Sequence, residues 1–386
     1  MSTLTPDRRA ALLALVVATL VHGLMLAKAG GDTFVFAALG EDDAVTTAHI
    51  RDVVGDDDLL ARSALGHDGK FFLLQAWDPL YLTEEHAYQL DRPVYRGQRM
   101  LFPLVAGLGG LAPVAAVPAL MALTNILALA LGTLGTSRLC MRYGKNPLYG
   151  LAFLFNIGVL SEISIGGAGI LAFALATWGS LAVEAEKYRS AALLFALSAL
   201  TREVMLLYVA GVALLLLVRT RRMPFLVAAP SGVAVAVWGL YLRLRLDSGT
   251  GIDEVRELGL PFVGMVEAAT EWPDGGAATL AIMLLIVATL PWLIQRAVVD
   301  GNYLTWGAAG FVLLASMLTV FVWREPFDIS RGIIPIFTAL AVSAAPRHWP
   351  PEIDSALDVD GDDWASARGD IVHTAHFSSL SPTAGR

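Results

Sequence analysis

The sequence predicts an all-α polytopic membrane protein, and three observations carry that expectation. Of 386 residues, 56% are hydrophobic and 16% charged, far from the average of soluble domains. Apolar runs of about 15 to 25 residues recur along most of the chain, enough for helices that cross a hydrocarbon core about 30 Å thick. No stretch shows the short alternating segments of a membrane β-barrel. The single cysteine, Cys140, excludes an internal disulfide framework and a Cys-rich zinc site. The net charge of −8 says little, because the charge is unevenly placed.

Ten crossings are expected, at 10–28, 113–137, 147–160, 168–182, 191–200, 204–218, 225–242, 277–294, 303–323 and 332–344. The first lacks a convincing cleavage site and reads as a retained anchor. The 191–200 and 204–218 pair is short and reads as a shallow hairpin or as spans with sunken ends. Basic residues favour the cytoplasmic side. Arg8 and Arg9 precede the first span, which places the N-terminus inside. Ten crossings then put Arg138, Arg142 and Lys145, Lys187 and Arg189, and Arg219, Arg221 and Arg222 on that same side, with both termini. The stretch 101–137 is long enough for two crossings, but two would move every later basic cluster outside. Residues 101–111 are therefore expected to form a short re-entrant helix, with Gly107, Gly109, Gly110 and Pro113 at its return turn.

This topology gives a membrane domain over 1–346 and a large first external loop, 29–99, with interfacial helices. Further external segments fall at 161–162, 201–203, 243–276 and 324–331. The acidic segment 347–386 is low in apolar content and reads as a disordered cytoplasmic tail. No internal repeat is evident.

Ionisable groups near membrane depth cost roughly 2.5–3.5 kcal/mol each, so they tend to be paired or functional. Here they collect on the external side. GHDGKFFLLQAWDPL (66–80) sets His67, Asp68, Lys70 and Asp78 among Phe71, Phe72 and Trp77. DRPVYRGQRMLFP (91–103) supplies Arg96 and Arg99, three residues apart and so on one helical face. Glu162, Arg202 and Glu203 fall at span ends, and WREPFDISR (323–331) supplies Arg324, Glu325, Asp328 and Arg331. Two guanidinium forks beside a helix start suit an anion, phosphate above all. The plainer reading makes them interfacial arginines that snorkel to headgroups. Asp68 is equally well placed to cap a helix starting at Gly69, and Asp78 before Pro79 to end it. Arg202 with Glu203, and Arg324 with Glu325, read as structural ion pairs at span ends. His67 alone is more a polar neighbour than a metal ligand. The run Asp56-Asp57-Asp58 suits a divalent ion but better suits a solvated acidic loop. No Walker loop, Rossmann glycine fingerprint or HExxH pattern occurs, and nothing points to nucleic acid.

His67-Asp68-Gly69, Phe71-Phe72, Ala76-Trp77-Asp78-Pro79 and the run from Asp91 to Pro103 together resemble a branch of the GT-C glycosyltransferase superfamily. Thr201-Arg202-Glu203 and Ser330-Arg331 are similar to what such proteins carry, more weakly. The resemblance reaches most of the chain through Ala344. Lys70 and Phe72 depart from it, standing where Gln and Tyr are expected; that bears on substrate identity more than on reaction type.

The resemblance implies a polyprenyl-phosphate sugar donor, an essential carboxylate in the first external loop and an active site on the external face, within the cell envelope. Asp68 is then the general base. Arg96 and Arg99 are donor-phosphate ligands, Arg202 and Arg331 secondary anion or sugar contacts, and Trp77 a sugar-stacking wall. His67, Lys70, Asp78, Glu162 and Asp328 complete the expected substrate-binding set. The leaving group is already a phosphate anion, so one base suffices. No cofactor is implied, and a divalent metal is not favoured because arginines can stabilise a singly linked phosphate. The acceptor is a glycan, glycolipid or protein hydroxyl. The rival reading is a transporter or flippase of lipid-linked saccharides, which favours midplane sites and inverted repeats.

Overall fold

The computed structural model describes residues 4–62, 66–83, 85–220, 224–246, 258–271 and 301–347, with scattered positions between 281 and 299. The tail from 348 onward and most of the expected crossing at 277–294 lie outside them. Among the described residues every regular element is helical, and β pairing is confined to isolated bridges such as Gly40 with Arg62.

Among the described residues three helices are long and apolar enough to cross a membrane. They are α1 (Pro6–Lys28), the later helix Val117–Arg142 and the helix Pro224–Arg245. Each turns an apolar stripe outward at four-residue spacing: Val16, Leu20 and Leu24 on the first; Leu123, Leu127 and Leu131 on the second; Val233 and Val237 on the third. Continuous exposed apolar stripes are stable against lipid and a liability in water, so these faces fit a bilayer.

The chain enters the first loop after α1. There it forms α2 (Thr46–Val54), α3 (Gly69–Trp77), α4 (Pro93–Gly97) and α5 (Leu101–Ala106). The bundle follows: α6 (Val117–Arg142), α7 (Ile157–Ile165), α8 (Gly169–Glu184), α9 (Tyr188–Thr201), α10 (Met205–Thr220), α11 (Pro224–Arg245) and the short α12 (Val263–Glu271). It closes with α13 (Tyr303–Met317), α14 (Val320–Trp323), α15 (Pro326–Gly332) and α16 (Ile334–Ala344).

Polar contacts define two ends of this bundle. At one end Asp7 of α1 meets Arg138 of α6, Glu184 of α8 meets Arg219 of α10, and Lys145 meets the last turn of α16. At the other end Glu162, Gly169, Arg202 and Arg331 meet. Among the described residues five shorter apolar helices, α8, α9, α10, α13 and α16, accompany the three long ones.

Two expected crossings are broken. The stretch 147–160 forms a 3-10 helix, Pro147–Ala152, and then the separate α7. Asn156 makes the break: its side-chain oxygen caps Gly158 N–H at 2.9 Å while its amide donates to the Ile334 carbonyl at 2.8 Å and to Thr338 Oγ1 at 3.0 Å. The stretch 303–323 breaks at Leu318, where the backbone turns extended between α13 and α14. The 101–111 segment forms a short helix, α5, followed by a turn in which Gly109 and Gly110 have φ of +72° and +85°, a conformation that favours glycine.

The aromatics set among charges in 66–80 pack inward. Phe71, Phe72, Leu73 and Leu74 of α3 are buried in a second apolar core with Phe34, Leu39, Ile50 and Phe102. Val117 and Met121 of α6 and Leu242 of α11 belong to that same core. The first loop is thus a packed cap mounted on the bundle.

Candidate active site

Gly69 fixes where Asp68 sits. A Cβ at Gly69 would stand 2.6 Å from the Ile165 carbonyl oxygen and 2.7 Å from that of Ala37. Only glycine lets the start of α3 lie this close to the end of α7. Asp68 occupies the cap position of α3 but makes no capping hydrogen bond. The capping alternative is not realised, because the carboxylate turns to three arginines.

Its Oδ1 accepts from Arg96 Nη1 at 2.8 Å; its Oδ2 accepts from Arg331 Nη1 at 2.6 Å and from Arg99 Nη1 at 3.5 Å. Each guanidinium is held from behind by another acid. Asp91 grips Arg96 with both oxygens, each at 2.9 Å. Glu203 takes Arg99 through Nε and Nη2, both at 3.3 Å, with Tyr95 OH at 2.9 Å. Asp328 holds Arg331 Nη2 at 3.0 Å. The Arg96 guanidinium also lies over the Phe71 ring, 4.3 Å from its centroid.

A second unit sits beside this one. Glu162, 2% exposed, accepts from Arg202 Nη1 at 2.9 Å and from Gly169 N–H, the first residue of α8, at 2.9 Å. Arg202 Nη1 also donates to the Arg331 carbonyl at 3.0 Å. The expected Arg202–Glu203 pair is therefore corrected. Neighbours on one tight turn point apart, Arg202 to Glu162 and Glu203 to Arg99.

Charge follows geometry. Burial alone would push the Asp68 carboxyl up, but the Arg331, Arg96 and Arg99 guanidiniums overcome it and hold the carboxyl far below the usual carboxylate range. Burial likewise opposes the charged forms of Arg99 and Arg331, and the neighbouring carboxylates raise both above the ordinary arginine value.

A cavity of about 420 Å³ opens beside the cluster, lined by Asp68, Arg96 and Arg331 and by His67, Lys70 and Asp328 of the expected set. Sequence reasoning gave no site role to four further polar lining residues: Asp43, Thr46, Gln89 and Asp91. Asp91 opens the arginine motif and carried a legible signal in its five-residue spacing to Arg96. Asp43, in an acidic loop among many, carried none; it receives the Lys70 ammonium and caps the turn into α2 through the backbone N–H groups of Val45 and Thr46.

Trp77 and Asp78 are not brought to this cavity. They lie at the opposite end of α3 from Asp68. There Asp78 closes the following turn by accepting from the backbone N–H groups of Leu82 and Thr83 and from the Thr83 hydroxyl, and Trp77 meets the His86 ring edge-on. The structure thus places these two, expected as a stacking wall and a ligand, at local contacts away from the cavity. Among the described residues no group of three His, Cys, Asp or Glu side chains is disposed to hold a metal ion; Asp68, Asp91, Glu203 and Asp328 each face a guanidinium. Comparison of the chain with family models, with curated proteins and with solved structures finds no match in any of the three.

Proposed function

We propose that this chain is a membrane glycosyltransferase of GT-C type that moves a sugar from a polyprenyl-phosphate donor to an acceptor hydroxyl on the external face. The observation that carries the reading is the convergence of Arg96, Arg99 and Arg331 on one loop carboxylate, Asp68, beside a cavity large enough for a sugar. Ten crossings complete the proposed topology, with the segment 277–294 as the eighth. Arg8, Arg9, Arg138 and Lys145 make the end opposite the site cytoplasmic. Both termini lie on that side.

The chemistry needs few groups. The donor tail stays in lipid and its phosphate meets the guanidiniums. The acceptor oxygen attacks the anomeric carbon from the face opposite the phosphate and gives its proton to Asp68. The bond between that carbon and the phosphate oxygen breaks with both electrons on the phosphate, and the anomeric centre inverts. Arginines aimed at the departing phosphate stabilise charge where it develops. Lys70, Asp43, Thr46 and Gln89 offer the sugar hydroxyls both donors and acceptors.

Purified protein in proteoliposomes with labelled polyprenyl-phosphate sugars tests this. A new glycoside on an added acceptor is the expected result. Movement of the labelled lipid between leaflets with its phosphate bond intact identifies a flippase and ends the transferase reading.

A further inference from the structure

Two features of the cluster stand against its own proposed chemistry. A carboxylate pinned beneath three guanidiniums is a poor proton acceptor, and arginines already spent on a carboxylate are poor phosphate ligands. Three guanidiniums face four carboxylates, Asp68, Asp91, Glu203 and Asp328, and Arg92, 3.9 Å from Asp91, brings the cations to four, so the cluster has no positive charge to spare before any ligand enters. A phosphate added to that arrangement gains no net attraction.

The geometry resolves both difficulties at once. Each arginine divides its fork: Asp91, Glu203 and Asp328 hold one side, and the Nη1 groups of all three converge on Asp68. The rear carboxylates keep the three Nη1 groups in position whether or not Asp68 is there. The fit to Asp68 is imperfect, because two oxygens serve three donors: Oδ2 is shared, at 2.6 Å from Arg331 and 3.5 Å from Arg99. A phosphate, with more oxygens in a tetrahedron, matches three converging donors better. Asp68 is also free to leave, since it makes no capping bond to its own helix and borders the cavity.

Resting on the transferase reading, we propose that Asp68 is the internal occupant of a three-arginine phosphate site. The donor's singly linked phosphate displaces the carboxylate from Arg96, Arg99 and Arg331, and the released carboxylate becomes the base. Donor binding thereby arms the enzyme. Without donor the carboxylate is neutralised and cannot activate water or an acceptor, and the order of binding is donor before acceptor.

The test is binding rather than turnover. Polyprenyl phosphate without sugar is titrated into full-length protein in neutral phosphatidylcholine nanodiscs, at fixed pH and ionic strength. The wild type is compared with Asp68→Asn and Asp328→Asn. Each variant removes one negative charge from the cluster, but only the first vacates the three Nη1 groups. The expected result is at least a tenfold gain in affinity for Asp68→Asn and less than threefold for Asp328→Asn. Equal gains in the two reduce the effect to net charge and overturn the exchange; an unchanged or weaker affinity in Asp68→Asn does the same. Asp68→Ser replaces Asp68→Asn if melting shows that the latter does not hold its fold.

Inorganic phosphate and phosphatidylglycerol nanodiscs form the remaining arms. A gain for inorganic phosphate with none for the polyprenyl lipid assigns the site to a free anion, and equal gains for phosphatidylglycerol assign it to bulk headgroups; either overturns displacement by the donor. A chain that shows the expected binding gain but yields no glycoside retains the exchange and loses the transferase reading. One that makes glycoside without the gain retains the transferase and loses the exchange.

Discussion

The two ends of the bundle use the same residue types in different ways. At the end bearing Asp7, ion pairs are simple: Arg138 reaches Asp7 at 3.1 Å, and Arg219, 41% exposed, reaches Glu184 at 4.0 Å. Lys145 is spent on the carbonyls of Val342 and Ser343, at 2.6 and 3.1 Å. Each cation there closes a helix end. At the other end one carboxylate is shared by three guanidiniums, each with its own second acid, and a cavity opens beside them. Holding helix ends together needs only the first arrangement. The second concentrates like charges from α4, α15 and the loop before α5 around one point, which stability alone does not call for.

Replacing the shared centre should break the comparison most sharply. Asp68→Asn is expected to lower glycosyl transfer by about 10²–10⁴-fold, the usual worth of a positioned general base. Arg138→Ala, at the opposite end, should leave transfer within about twofold under the same assay, since its loss falls on a helix-end contact. Near-normal turnover by purified Asp68→Asn would remove the base role.

Stability should order the ends in the same way. Glu162→Ala strands the Arg202 guanidinium and strips Gly169 of its acceptor, both in buried surroundings. The expected cost is about 3–5 kcal/mol, read as a lowered midpoint in detergent unfolding. Lys145→Met removes two charge-assisted bonds from the last turn of α16, each worth about 1.5–3 kcal/mol, but it also removes a buried ammonium and its desolvation cost, so the net loss is expected to be smaller. If the two variants unfolded in the reverse order, the site-end network would be no more demanding than a helix cap.

The sequence made the helical class, and most helices, legible, because apolar runs long enough to span a bilayer leave little alternative. It made Asp68, Arg96, Arg99 and Arg331 legible as candidates because charge beside apolar spans is costly. It could not make their meeting legible: Arg331 lies 263 residues from Asp68 and reaches it only through the packing of α15 against α7. The break at Asn156 was hidden because its partners, Ile334 and Thr338, are also distant, 178 and 182 residues away in sequence. Trp77 and Asp78 fall away from the cavity for a local reason. Proximity in sequence to Asp68 suggested a common site, but α3 carries them to its other end.

The smallest effect expected concerns pH, and it belongs to the site end alone. His49 of α2 and His86 share one hydrogen bond, Nε2 to Nδ1 at 3.0 Å. That bond needs one ring nitrogen to donate and the other to accept, so it fails when both rings are protonated. Burial, then the His49 ring, lowers the His86 pKa from its ordinary value near 6.5, while Glu85 and Asp78 act in the opposite sense. A histidine lowered on folding contributes stability above the unfolded value and loses it as pH falls below about 6.5. One neutral hydrogen bond is worth about 0.5–1.5 kcal/mol, so the whole protein should not unfold. The consequence is local, because Thr46 of the same helix donates to the Gln89 carbonyl and both residues line the cavity. Amide exchange over 46–54 and 86–90, corrected for intrinsic rate, should therefore accelerate between pH 7.5 and about 5.5. Amides 138–145 at the opposite end serve as the internal reference. In His49→Gln the acceleration should shrink, because His86 no longer meets a second ring while burial still disfavours its charged form. Equal acceleration at both ends, or undiminished acceleration in His49→Gln, would detach this wall of the cavity from the histidine pair.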